Sequence, residues 1–178
     1  ALLRLQARRI DDPGASAALN EAVRRIASIA LVHETLSSSR DSSVAFDEVL
    51  DSLVSHALEL SPRMNELKIE RTGKLGSLEP RIATPLALVI TELIHNALEH
   101  GLAEEGLALG IHVSSNGSEL SVTISDDGVG FPEGFDISTS PNLGLQIVRT
   151  LTENELRGNL QLISDEKETR AVLTFPNA

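Results

Sequence analysis

The tightest constraint on how this chain can fold is a pair of alternating segments. They are "ALGIHVSS" at 108–115 and "ELSVTISD" at 119–126, and they flank Asn116-Gly117. Alternation at every second residue puts apolar side chains on one strand face and polar ones on the other. Asn-Gly between two such runs is the strongest short-range hairpin signal. The apolar face so created has to be covered, and the covering candidates are helical. In "PLALVITELIHNALEH", 85–100, apolar residues recur at Leu86, Ile90, Leu93 and Ala97, the spacing of a packed helix face. Thr84 followed by Pro85 predicts a cap and a first-turn proline, so the helix is expected to start there.

The neighbouring segments extend the pattern. "AFDEVLDSLVSHALEL" at 45–60 predicts a helix and "NELKIER" at 65–71 an alternating strand. A second helix is expected from about Leu143, and "NLQLISD" and "RAVLTFP" predict a closing pair of strands. Helices gathered on one face of a mixed sheet make a two-layer α/β sandwich.

The front of the chain differs. "ALLRLQARRI" reads as an apolar-basic helix stopped by "DDPG", and another helix is expected over 16–36. Its stripe Leu19, Ala22, Ile26, Ile29, His33, Leu36 alternates three and four, the seam of a helical bundle. A hairpin this thin needs a partner, and a dimeric four-helix bundle is the economical solution. The polar stretch "SSSRDSS" at 37–43 marks the expected boundary, dividing a partial hairpin, 1–41, from the mixed domain, 42–178.

Charge narrows the partners. A net charge of −11 argues against nucleic acid, whose binding draws on Lys and Arg meeting phosphates. An acidic protein can still hold a nucleotide when a divalent cation screens the phosphates. Aromatics make up 2% with no Trp or Tyr, so the core has to be aliphatic. No run of apolar residues approaches the roughly 18 that span a bilayer, so no membrane segment is expected and the cytoplasm is the default location. Without Cys there are no disulfides or thiolate metal sites. The chain opens on Ala1 and reads as a piece of a longer protein.

Three stretches carry chemistry. Glu92 and Asn96 are four apart and project from one side of the 85–100 helix, which either meets water or lines a polar site. In "SDDGVGFPEG", Asp126, Gly128 and Gly130 form D-x-G-x-G at a strand end. The glycines allow a flat ligand to approach, and the carboxylate can accept from an amino group; the plainer reading is an Asp-Gly turn. In "NLGLQIVRTL", Gly144 opens a helix, where free N–H groups suit a phosphate or the glycine merely allows a tight entry.

In this order the stretches resemble the GHKL ATPase fold, shared by histidine kinases, anti-sigma-factor kinases, Hsp90, gyrase B and MutL. "ELIHNALEHG" resembles its N box, "DDGVG" its first glycine box, and "NLGLQIV", with Leu143, Gly144 and Leu145, its second. The resemblance runs from about Val44 onward. The hairpin "LLRLQARRI…ALNEAVRRIASIALVHETLS" is similar to the second histidine-kinase dimerisation and phosphoacceptor family, akin to HWE kinases.

The resemblance implies ATP and Mg²⁺ as ligands, a homodimer, and a response regulator as the onward partner. It implies that Asn96 binds Mg²⁺ and that Glu92 holds a metal-bound water or polarises a nucleophile. It implies that His100 contacts the nucleotide, Asp126 reads the adenine amino group and Thr169 supports adenine through water. His95 reads as solvated or packed.

Departures are visible too. Glu99 stands at the N-box Lys position, Asn142 replaces the first glycine of the second box, and the lid 131–141 has no Lys or Arg and no F box. The family's acceptor stretch, H-R-x-x-N-N, is expected upstream of Ala1, which makes His33 a seam histidine rather than the acceptor. The alternatives are an anti-sigma-factor serine kinase and a nucleotide-binding or dimerisation module that transfers nothing.

Overall fold

Five strands form the central sheet, and their burial explains its shape. The structure is a computed structural model that describes residues 43–177 except 60, 103–105, 133, 138–139, 141 and 166–167, together with Leu19, Ala22, Ile26, Ile29, Ala30, Val32, His33 and Glu34. In chain order the elements are β1 (Val44–Ala45), α1 (Phe46–Glu59), β2 (Lys68–Thr72), β3 (Ser77–Leu78) and α2 (Pro80–Asn96). There follow β4 (Ala108–Ser115), β5 (Glu119–Asp126), α3 (Leu143–Thr150), β6 (Asn159–Ser164) and β7 (Thr169–Pro176). Single π-helical turns, Ala97–Gly101 and Leu151–Glu155, extend α2 and α3.

The sheet order is β2-β4-β5-β7-β6, with β2 parallel to β4 and the other pairs antiparallel; β1 and β3 pair separately. Register aligns apolar rows across it. Ile111 pairs Ile124, which pairs Ala171, which pairs Leu162; Val113, Val122, Leu173 and Leu160 form the next row. These residues belong to or pack against the core, whereas His112, Thr123 and Gln161 on the intervening positions do not. The one-faced alternation read from the sequence is therefore the observed one, and the result is the expected two-layer sandwich. The hairpin turns at Asn116-Gly117 as predicted: Gly117 has φ +94 and Asn116 Oδ1 accepts from Ser118 and Glu119 N–H.

The stripe Leu86, Ile90, Leu93, Ala97 is buried, so α2 lays its apolar face on the sheet. Its start differs from the expectation. The helix begins at Pro80, and Pro85 lies inside it. Both prolines carry a first-turn signature, but Ile82 and Ala83 are buried, so packing draws the extra turn into the helix. Pro85 forgoes its bond to the Arg81 carbonyl, on an exposed residue where water can replace the missing donor. By length and composition, Pro80–Gly101 could cross a membrane, but 61% of its apolar window is buried inside the fold, as in a core helix.

Edge strand β2 is tied to α1 by Arg71, which pairs with Asp51 and, at 2.8 Å, with Asp47. Asp47 also accepts from Leu75 and Gly76 N–H, fastening the loop before β3.

Of the first 42 residues, the eight described are helical. The predicted seam faces solvent in this single chain: Ile26 is 56% and Ile29 52% exposed, and His33 is exposed too. Val32, outside the stripe, is 1% exposed and joins the core with Val44 and Phe46. In this single chain His33 is therefore exposed rather than buried. Leu36 and the helix over 1–10 lie outside the described residues.

Candidate functional site

The core-facing rows turn polar at one end of the sheet. Asp126 on β5 pairs in register with Thr169 on β7, which pairs with Ser164 on β6. Thr169 and Asp126 are buried, and the Thr169 hydroxyl lies 3.4 Å from that of Ser164. Above this rung the last turn of α2 leaves a cleft of about 390 Å³, within the range of small-molecule sites. Asn96, His100, Asp126, Gly130, Leu145 and Thr169 all line it.

Three glycines set how closely helix and strand approach. The π turn closes with Leu102 N–H donating to Ala97 O at 2.8 Å, and Arg63 Nη1 donates to Leu102 O at 2.7 Å, fixing the helix end. This brings Gly101 O to accept from Val129 N–H at 3.1 Å. A Cβ on Gly128 would overlap the Gly101 carbonyl, and a Cβ on Gly101 would overlap the Asp126 carboxylate. Gly128 is therefore required by the protein's own backbone, not only by a ligand's approach. Gly130 has φ +76, a region that favours glycine, and a Cβ there would meet Ser164 Oγ at 2.6 Å.

Asp126 accepts from Gly128 N–H at 3.1 Å. Burial pushes its carboxyl above its ordinary 3.8; the Gly128 bond pulls it down and Asp127 pushes it up again. A carboxyl raised in the folded state adds stability below pH 3.8, and that stability is lost as pH rises through the raised value. At neutral pH the ionised, buried Asp126 is therefore a cost to the ligand-free fold. Asp126→Asn is expected to raise the thermal midpoint at pH 7, with the advantage gone below pH 3.8; equal midpoints in scanning calorimetry at pH 7 would contradict it. Adjacent Asp127 has a structural task, accepting from Leu107 and Ala108 N–H, both at 2.7 Å.

Asn96 is half-buried on the cleft wall, and its Nδ2 is buried without a partner among the described residues. Glu92, one turn earlier, is buried but is not among the residues lining the cleft. His95 Nε2 lies 2.9 Å from Glu99 Oε2, so the carboxylate at the N-box Lys position is paired along the helix. His100 is exposed at the cleft.

At the opposite wall Asn142 caps α3, its Oδ1 accepting from Gly144 N–H at 2.8 Å and Leu145 N–H at 3.4 Å. The amides that the sequence leaves open for a phosphate are bonded to this side chain. Gly144 is buried, Leu145 is buried and lines the cleft, and Leu143 is exposed and outside the lining.

Sequence reasoning missed several residues. Gly101 looks like an ordinary glycine at a helix end, and its contact with Asp126 is purely tertiary. Phe131 and Phe135 line the cleft and stack on each other with centroids 4.8 Å apart. Two of only four Phe within five residues was the available signal. Ser140, Leu162 and Ala171 also line the cleft.

Comparison with known proteins bears on the family and the fold. The chain is 44% identical over 180 residues to the sensor histidine kinase PdtaS of Mycobacterium tuberculosis, covering 99% of this chain and 36% of that protein. It is 45% identical over 163 residues to PdtaS of Mycolicibacterium smegmatis, covering 90% of this chain and 32% of that protein. The chain thus spans about a third of the length of these relatives. The histidine kinase domain of a blue-light-activated kinase from Erythrobacter litoralis superposes with a TM-score of 0.75 at 22% identity, covering 98% of this chain and 82% of that one; this likeness is one of fold. A family model described as histidine kinase matches residues 1–61, and one described as histidine kinase-, DNA gyrase B- and HSP90-like ATPase matches residues 81–178. Since that second match takes in more than half of its residues, the chain belongs to the histidine kinase-, DNA gyrase B- and HSP90-like ATPase family.

Proposed function

We propose that the chain is the ATP-binding catalytic region of a two-component sensor histidine kinase, 42–178, behind part of a dimerisation hairpin, 1–41. The observation that carries this reading is the convergence of Asn96, Asp126 and Thr169 on one cleft between α2 and the sheet. The γ-phosphoryl leaves ADP and joins an imidazole nitrogen, whose proton departs, and then passes to a response regulator. Positioning and charge supply most of the catalysis in such a transfer.

Each residue has a part. Asp126 accepts from the adenine amino group, with Thr169 supporting the base through water, and Gly128 and Gly130 keep the floor close. His100 meets the nucleotide at the cleft mouth, and Leu143, Gly144 and Leu145 form the phosphate end. Glu92, buried one turn behind Asn96, is the candidate catalytic carboxylate, there to hold a water or to polarise the attacking nucleophile. The residues also fit Mg²⁺, which takes oxygen ligands. Asn96 lines the cleft as a half-buried residue, and its amide oxygen is the atom a cation would take there. Bound there, Mg²⁺ would offset phosphate charge, a need sharpened by a described lining without Lys or Arg. Leu19, Ala22, Ile26 and Ile29 form the face on which a second copy pairs.

The test is labelling of the full-length protein with γ-labelled ATP. Acid-labile, base-stable label that passes to a response regulator is the expected result. Acid-stable label on a separate protein would favour a serine kinase, and nucleotide binding without label a non-catalytic module. In parallel, Asp126→Asn should cost ATP about tenfold or more in affinity, in keeping with a charge-assisted hydrogen bond, and leave GTP little changed. Equal wild-type affinity for ATP and GTP would remove Asp126 from base recognition.

A further inference from the structure

The cap on α3 takes up the Gly144 and Leu145 N–H groups, which the nucleotide reading above assigns to phosphate. Asn142 Oδ1 holds Gly144 N–H at 2.8 Å and Leu145 N–H at 3.4 Å, while Asn142 and Leu145 both line the cleft. The capping geometry is ordinary: Asn142 is extended, with φ −67 and ψ 114, and Asn ranks among the best N-cap residues. The cap is also braced, since Asn142 N–H donates to Ser140 Oγ at 3.3 Å and Gln146 Nε2 donates to Ser140 O at 3.1 Å. Glycine at position 142 would leave the same amides to water.

We infer that Asn142 is an internal competitor for the nucleotide's phosphates: its amide oxygen occupies the N–H groups that a phosphate needs. The inference rests on the nucleotide reading above and adds a control to it. Phosphate binding at α3 requires the Asn142 side chain to rotate away, so part of the phosphate's gain is offset by loss of the cap. Adenosine, which has no phosphate, leaves the cap undisturbed. Asn142 therefore sets how strongly the site favours a phosphorylated adenine ligand over the bare nucleoside, and it keeps the α3 terminus closed without one.

Two substitutions separate competition from simple support, and both residues are well tolerated at a helix N-cap. Asn142→Gly removes the competing oxygen at little cost to the helix; Mg-ATP should bind about three- to fivefold tighter, the scale of one N-cap. Asn142→Asp strengthens the occupant and sets a negative charge against the phosphates; Mg-ATP should bind about tenfold weaker or worse. Isothermal calorimetry on the 178-residue chain should show adenosine affinity unchanged in both. Affinities for Mg-ATP equal to wild type in the two variants overturn the inference, as does weakening by Asp without a gain from Gly. Parallel changes for adenosine overturn it too, since they mean a general distortion of the cleft. A wild type that binds neither ligand refutes the nucleotide reading and this inference together; one that binds both, with unresponsive variants, refutes the inference alone.

Discussion

Asn96→Ala is expected to abolish most Mg-ATP affinity and to leave the fold standing. Asn96 ends the α-helical part of α2, where Ala is the best helix former, so the backbone loses nothing. The native amide nitrogen is buried without a partner among the described residues, and deleting it relieves a desolvation cost. The ligand-free protein is thus expected to melt at the wild-type temperature or slightly above. Binding behaves oppositely, because the described cleft lining has no Lys or Arg to take over the phosphate charge. A hydrogen bond or ligation involving a charged partner is worth about 1.5–3 kcal/mol, so affinity should fall about tenfold to more than a hundredfold. Calorimetry that finds Mg-ATP bound as tightly as by wild type would remove Asn96 from the site.

Gly128→Ala is expected to damage fold and site together. The new methyl would occupy the position of the Gly101 carbonyl, and neither partner is a flexible side chain. Gly101 cannot retreat toward β5, because its own Cα already faces the Asp126 carboxylate. The remaining relief is to part the end of α2 from the strand end, which breaks the Val129 N–H to Gly101 O bond. Overpacking of this kind costs about 1–3 kcal/mol. For a chain of this size that lowers the melting temperature by about 2–10 °C. Parting the two walls also opens the cleft between Asn96 and Asp126, so nucleotide binding should fall below detection. Gly117→Ala is the control: it strains a positive-φ turn with nothing within 4 Å, and should lose some stability but no binding. Wild-type binding by Gly128→Ala would show that the helix-strand contact does not shape the site.

Period alone made most of the framework legible. β4 and β5 have the bounds that their alternation predicts, and the stripe Leu86 to Ala97 is the buried face of α2. Both are local patterns that the core enforces. The helix start was misread because two prolines carry the same signal, and only the burial of Ile82 and Ala83 chooses between them. At the site, the family resemblance singles out Asn96, Asp126 and Thr169, and all three line one cleft. Gly101, the Phe131–Phe135 stack and the occupied α3 amides were not, since each is a relation between segments far apart or a side-chain rotamer. The three-four spacing of Ile26 and Ile29 predicts a seam between chains, and a single chain leaves that face uncovered.

The π turn at the end of α2 works as a vernier. Packing of Leu86, Ile90, Leu93 and Ala97 fixes the rotation of the helix, while contact with Gly128 independently fixes Gly101. A regular α-helix advances about 100° per residue, so two such anchors seldom fall in phase. One widened turn absorbs the difference. Removing a single residue between Ala97 and Gly101 would let the helix regain α geometry, yet swing everything beyond it out of step with the sheet. The helix's length is consequently set to the residue by a contact at its far end, and not by the apolar stripe that makes it a helix.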